Sequence, residues 1–296
     1  GCNVAIGNNS LTNNTTGQNN VSIGHFTSSC NTTGNNNVAI GHTSLCANTT
    51  GLANTSVGRE ALRNNTTSNN TAVGFQSLCA NTTGTSNTAQ GYRALYSNTT
   101  ASNNTAVGYT SLCSNTTGTS NVAVGLSSLC TNTTGNYNVS LGSGLANNTT
   151  GSCNVAVGHA ALVNNTTSSN NTAVGHFALL ENTTGAQNVA IGRDALRYNT
   201  TANNNTAVGY TALCANTTGT DNLALGRRSL CANTTGSNNT SLGAVSLDAN
   251  TTGERNTAVG TSSLSANVTG CCNTAVGVVA LFNSTGDKNT AIGDSA

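Results

Sequence analysis

Residues 104–118 read Asn104-Thr105-Ala106-Val107-Gly108-Tyr109-Thr110-Ser111-Leu112-Cys113-Ser114-Asn115-Thr116-Thr117-Gly118, and the same pattern restarts at Asn121. Its first five residues recur eighteen times along the chain, ending at Gly7, Gly24, Gly41 and onward to Gly293. Consecutive glycines are 17 residues apart except for three intervals of 16. One such unit is too short to bury a hydrophobic face by itself, so the copies must stack on each other. The predicted fold class is therefore all-β: a parallel β-solenoid of about 17–18 coils with a 17-residue repeat, continuous over residues 1–296.

With the first Asn of each unit as position 1, each column has a physical reading. Position 2 is Val, Leu or Thr, and position 4 is Val, Ile or Leu except at Gln90. Residues two apart share one face of a strand, so positions 2 and 4 are expected to point inward, with the Ala/Ser of position 3 on the outer face against a neighbouring chain. Position 9 is Leu in sixteen of seventeen copies, Ser28 being the exception, and predicts a second inward ridge on a second strand. Gly at position 5 marks positive φ or close backbone approach, and Asn-Thr-Thr-Gly supplies a second turn. Stacked at about 4.8 Å per coil, the array would form a rod of roughly 80–85 Å. The core is thin, so lateral self-association into a homotrimer or filament is expected, through the Ala/Ser column. The 16-residue intervals place their deletions in the turns, where loops tolerate them.

Charged residues make up only 6% of the chain, the net charge is +1, and Pro, Met and Trp are absent. Low charge with abundant Asn, Thr and Gly also describes disordered tracts, but disorder does not require apolar residues at fixed phase. Neither a basic stripe for nucleic acid nor an apolar run of membrane-spanning length is present. The chain starts and stops in mid-repeat without caps and reads as a segment of a longer fibre.

The element Asn-Val-Ala-Ile-Gly at 37–41 and 188–192, with its following Ser/Ala-Leu, resembles the head repeats of trimeric autotransporter adhesins of the YadA type. The full unit at 104–118 is still more similar to repeats of bacterial and phage tail-fibre-like surface proteins. The resemblance covers nearly the whole chain. It implies a left-handed parallel β-roll, trimeric, in an extracellular fibre or adhesin. The chain departs from the adhesin pattern in its longer unit and in lacking a heptad stalk and membrane anchor.

Position 12 is Asn and position 14 is Thr in all seventeen complete copies. Asn14, Asn31, Asn48, Asn65, Asn81, Asn98, Asn115, Asn132, Asn148, Asn165, Asn182, Asn199, Asn216, Asn233, Asn250, Asn267 and Asn283 are therefore candidate N-glycosylation sites, and covalent N-linked glycans are the one attached group to consider. Asn69, Asn103, Asn170, Asn204 and Asn238, each followed by Asn-Thr, are secondary candidates, as are Asn20, Asn54 and Asn138. The competing reading is a structural ladder of stacked amides. Position 1 is also always Asn and in most copies lies outside any acceptor sequence, so Asn alone requires only a ladder. Thr at position 14 persists while its neighbours drift to Val268, Ser284, Ala101 and Ala202, and a glycan coat, a Thr ladder or recent duplication each account for this.

Six of the eleven cysteines occupy position 10, and Cys113/Cys130 and Cys214/Cys231 fall on adjacent coils, within disulfide range if oxidised; small half-buried thiols are the alternative. The four histidines all sit at position 6, with too few neighbouring ligands to predict a metal site. Phe75, Tyr92 and Tyr109 share that column and suggest either a sugar-stacking strip or cross-coil packing. No carboxylate pair, phosphate loop or nucleophile–base set is recognisable, so the chain reads as non-enzymatic, without cofactor. The expected function is an extracellular or cell- or virion-surface fibre or filament shaft. The alternative is an adhesin-like module that binds host-surface carbohydrate through variable positions 6, 7, 10 and 11, and ice binding by a flat Thr column is a remote third.

Overall fold

Strands begin at position 2 in every repeat because the Thr or Val there (Leu223 in one coil) and the branched apolar residue at position 4 (Gln90 in one coil) favour extended backbone, until Gly at position 5 ends it. The computed structural model describes residues 1–296 and contains eighteen strands of three residues each, with no helix. The protein is an all-β parallel β-solenoid. It divides into two units, Gly1–Thr150 and Gly151–Ala296. The first holds β1 (Val4–Ile6) to β9 (Val139–Leu141), the second β10 (Val155–Val157) to β18 (Thr290–Ile292). Within each unit successive strands pair in parallel, column on column: Thr105, Ala106 and Val107 lie beside Val122, Ala123 and Val124, and Thr206, Ala207 and Val208 beside Leu223, Ala224 and Leu225.

The strand faces the opposite way from the sequence expectation. Ala106, Ala123, Ala207 and their column-mates at position 3 are fully buried, whereas positions 2 and 4 are half-buried or exposed. The interior is already occupied by the Leu ridge and by two columns of Asn, so the space beside the strand admits only a methyl or hydroxymethyl group. Where position 3 is Ser, a hydroxyl meets it. Ser22, Ser56, Ser140 and Ser241 bond to Ser10, Ser44, Ser128 and Ser229 respectively, each twelve residues earlier on the preceding coil, at 2.6–2.9 Å. Every buried strand hydroxyl is thereby satisfied, as burial of a polar group demands. The coincidence of Ser at i and i+12 was visible in the sequence.

The second strand is replaced by a turn-rich segment with positive φ at positions 5, 7 and 9: Gly108 +135°, Thr110 +50° and Leu112 +51°. This alternation still lets each coil bond to its neighbours. Thr110 N donates to Tyr92 O on the preceding coil, while Leu112 N and Ser114 N donate to Ser128 O and Cys130 O on the next, at 2.9–3.1 Å. The backbone ladder thus continues without extended geometry, and it holds Leu112 in the left-handed region, sparsely used by non-glycine residues. Leu112 is fully buried, as are the leucines stacked above and below it.

Two amide ladders complete the interior. Asn115 Nδ2 donates to Asn98 Oδ1 on the preceding coil and to the Gly118 carbonyl of its own turn, both at 2.9 Å, and its Oδ1 accepts from Asn132. At position 1, Asn121 N donates to Asn104 Oδ1, and Asn121 Nδ2 reaches the Gly135 carbonyl. The carbonyl at position 15 therefore joins the ladders, since Gly118 O accepts from both Asn104 and Asn115. The position-12 ladder is interrupted where a coil has lost a residue. Asn65 Nδ2 bonds within its shortened turn to Thr67 O, and Asn48 Oδ1 is left buried without a partner.

Candidate recognition face

The chemistry-bearing side chains fall on one part of the coil. Columns 6, 7, 10 and 11, the turn-rich segment between Gly at position 5 and Asn at position 12, carry all four histidines, nine of the ten Phe and Tyr residues, and seven of the nine Lys and Arg residues. Columns 2 and 4, on the outer face of the sheet, carry no charged residue in eighteen coils. Positive φ at 7 and 9 turns alternate side chains outward and inward. Positions 8 and 9 fill the core, and 6, 7, 10 and 11 remain partly or fully accessible in most coils.

In the first unit the aromatic rings at position 6 stack: Phe75 on Tyr92 with centroids 5.6 Å apart and Tyr92 on Tyr109 at 5.0 Å, nearly parallel. Tyr92 therefore has a ring on each face, and Phe75 has Tyr92 on one side and the Arg59 guanidinium, 5.8 Å from its centroid, on the other. The faces of Phe75 and Tyr92 are therefore taken, whereas Tyr109, which is exposed, has a ring on one face only. Beside it, column 7 forms a polar chain. Arg59 pairs with Glu60 at 3.3 Å, Gln76 Nε2 donates to Glu60 at 2.8 Å, and Arg93 Nε donates to Gln76 Oε1 at 3.1 Å. The Gln76 amide, with Arg59 and Arg63 nearby, holds the Glu60 carboxyl below the usual range. Arg93 lies over Tyr96, 4.3 Å from the ring centroid.

In the second unit Asp194 is buried between Arg193 Nε (3.1 Å) and Arg197 Nη1 (2.9 Å), and Arg197 spans Phe177 and Tyr198. His25 stacks on His42 and His159 on His176, at 5.3 and 5.2 Å. No group of three or more potential metal ligands converges anywhere.

The sequon column requires a correction. Asn31 to Asn267 at position 12 are buried, and the ladder takes their amide hydrogens, so these fifteen asparagines offer no acceptor nitrogen in the folded coil. Asn14 is half-buried and Asn283 exposed. The acceptor tripeptide is a local signal, whereas accessibility depends on where the side chain points. The secondary candidates at position 17, Asn69, Asn103, Asn170, Asn204 and Asn238, are exposed. Site mapping of the chain produced in an N-glycosylating host should find any sugar at this column, at Asn14 or at Asn283, and none at the fifteen buried position-12 asparagines. Occupancy of the interior column by peptide mass mapping would contradict the ladder.

The Thr columns also separate. Position-13 hydroxyls donate to the next coil's backbone, as Thr116 Oγ1 does to Thr133 O at 3.0 Å, and so serve the coil rather than ordered water. Position-14 threonines such as Thr117 and Thr134 are exposed, and no intramolecular contact explains their recurrence.

All eleven cysteines are free thiols. Cys113 Sγ turns onto the Cys130 carbonyl oxygen at 3.4 Å rather than onto its sulfur. Burial, then the neighbouring Cys231 and Asp194, push the Cys214 thiol up to about 11, so it is protonated and a poor nucleophile near neutrality. No family model and no curated protein matches the sequence.

Proposed function

We propose that this chain is a non-enzymatic structural shaft of an extracellular or surface fibre, and that copies associate side by side through the outer face of the sheet. The observation supporting this is the charge-free surface of columns 2 and 4, with Val4, Ile6, Ile40, Val124, Leu141, Ile191 and Leu242 among its exposed apolar side chains. Exposed apolar side chains gathered on one charge-free face, interleaved with Thr at position 2 and with Gln90 at position 4, mark an interaction surface. Strands three residues wide, nine to a unit at about 4.8 Å spacing, present roughly 400 Å² per unit. Each unit's strip is thus about half of the roughly 800 Å² per partner of a standard interface. A second copy suits this surface because its column-on-column strand register matches itself. The protein should therefore be multimeric by light scattering at tens of micromolar, and Val107→Glu with Val208→Glu should give monomers with an unchanged circular dichroism spectrum. A monomeric wild-type chain at that concentration would remove the proposal.

A second reading, a carbohydrate-binding adhesin-like module, is favoured by the concentration of Arg, His and aromatic residues on columns 6 to 11. Both readings are compatible, because the two surfaces use different columns.

A further inference from the structure

The geometry points to a subsite for a carboxylated sugar in the cavity at Arg93, on the sixth and seventh coils; this rests on the reading of columns 6 to 11 as a carbohydrate-recognition face. The cavity, of about 140 Å³, is lined by Arg93, Tyr96, Ser97, Thr110, Cys113 and Ser114. It is therefore built from positions 7, 10 and 11 of consecutive coils, at the one place where an arginine, a tyrosine at position 10 and three hydroxyl side chains come together.

Arg93 differs from the four arginines of this face that sit in ion pairs. Arg59 pairs with Glu60, Arg193 and Arg197 with Asp194, and Arg228 with Asp248, so their charge is offset within the protein. Arg93 is held instead by the neutral Gln76 amide oxygen, and Gln76 is itself anchored on Glu60. Its guanidinium is thus fixed through Nε and by stacking on Tyr96, with no carboxylate against its terminal nitrogens. A guanidinium so oriented presents a planar fork of N–H donors, which matches a carboxylate bidentately.

The remaining lining matches the rest of a sugar acid. The Ser97 and Ser114 hydroxyls can each donate or accept towards ring hydroxyls, and Thr110 is held in place by Ser127 Oγ at 3.0 Å. The volume is that of part of one saccharide unit and is too small for a drug-sized ligand. No position-6 ring lines the cavity, so recognition here is largely polar, with the ligand's anionic group at Arg93 and its hydroxyls towards Ser97, Thr110 and Ser114. A neutral hexose would leave the guanidinium unmatched.

The test is a titration of the full chain, followed by NMR chemical shifts of the Arg93 Nε–H and the Tyr96 ring. The probes are the methyl glycoside of a uronic acid, the matching neutral hexoside, the same hexoside bearing a sulfate ester, and inorganic sulfate. The uronic glycoside should shift both signals, and the neutral hexoside should not. Arg93→Gln, which keeps a polar end but removes the charge, should weaken uronic-acid binding about ten- to hundredfold, and Arg93→Lys should recover only part of it. Equal binding of the neutral hexoside, or inorganic sulfate or the sulfate ester binding as tightly as the uronic glycoside, would overturn the assignment to a carboxylated sugar. If acidic saccharides bind but Arg93→Gln has no effect while Arg193→Gln with Tyr210→Ala abolishes binding, the subsite is wrong and the recognition face stands. If no saccharide binds the chain, both fail.

Discussion

Asn115→Asp should destabilise the solenoid by about 3–5 kcal/mol at pH 7, although the change replaces one amide nitrogen by oxygen. The two hydrogens of Asn115 Nδ2 bond to Asn98 Oδ1 and Gly118 O. A carboxylate in their place would put oxygen against oxygen on both sides, and the site is fully buried. The pH dependence identifies the cause. Burial raises the folded-state pKa of such an aspartate above its unfolded value of about 3.9. Below that value the group is neutral in both states, and the cost should fall to about 1–3 kcal/mol for the lost donors. As pH rises above it the unfolded chain ionises first, and the penalty grows until the folded pKa is passed. Urea melts at pH 3 and pH 7 would show this. The control is Asn103→Asp, at position 17, where Asp221 occurs naturally and both side chains are exposed; it should change stability by less than about 0.5 kcal/mol. Equal losses for Asn115→Asp at the two pH values would exclude a buried-charge penalty.

The second large effect is expected at Gly108, and the chain supplies its own comparison at Gly118. Gly108 has φ +135°, a region L residues rarely adopt, and an added Cβ would overlap the Gly125 backbone of the next coil. Gly108→Ala should cost about 3 kcal/mol or more, combining backbone strain with the steric displacement of a neighbouring coil. At Gly118 an added Cβ would also be tight, against Asn115 Oδ1 and the Gly135 carbonyl, but φ is not positive there. Ala101 and Ala202 occupy this same column and are buried, with their carbonyls still accepting both amides. Small local shifts therefore accommodate the methyl, and Gly118→Ala should cost no more than about 1 kcal/mol. Position 5 remains Gly in all eighteen repeats, whereas position 15 drifts to Ser68, Ala101, Ser168 and Ala202. A thermal-melt comparison in which the two variants behave alike would show that φ is not what separates the columns.

Several columns were legible without coordinates. The period required stacking, Gly at position 5 implied an unusual φ, Leu at position 9 implied an inward ridge, and invariant Asn implied a ladder at position 1 while leaving a ladder or a glycan column open at position 12; each depends on a property repeated at the same phase in every copy. The variable positions 6, 7, 10 and 11 were identifiable as candidate recognition columns for the complementary reason that they vary from copy to copy. The cavity at Arg93 was not identifiable, because it depends on how a non-extended turn brings position 10 of one coil beside position 7 of the next.

What the sequence determined by itself, then, is the stacking, the parallel pairing and the columns on which they rest, because a fixed period leaves a short repeat no other way to bury its apolar and amide groups. Which side of each strand faces inward was decided only in three dimensions. Alternation separates two faces without saying which is inside, and the usual assumption that branched apolar residues go inward fails here. Leu112 and its column-mates, with the two Asn ladders, leave beside the strand a space that Ala106 fills and Val107 would not. The same packing carries Asn115 and its column inward and leaves the valines outside. This turns a row of apparent glycan acceptors into the interior of the protein and the apparent core into its outer surface.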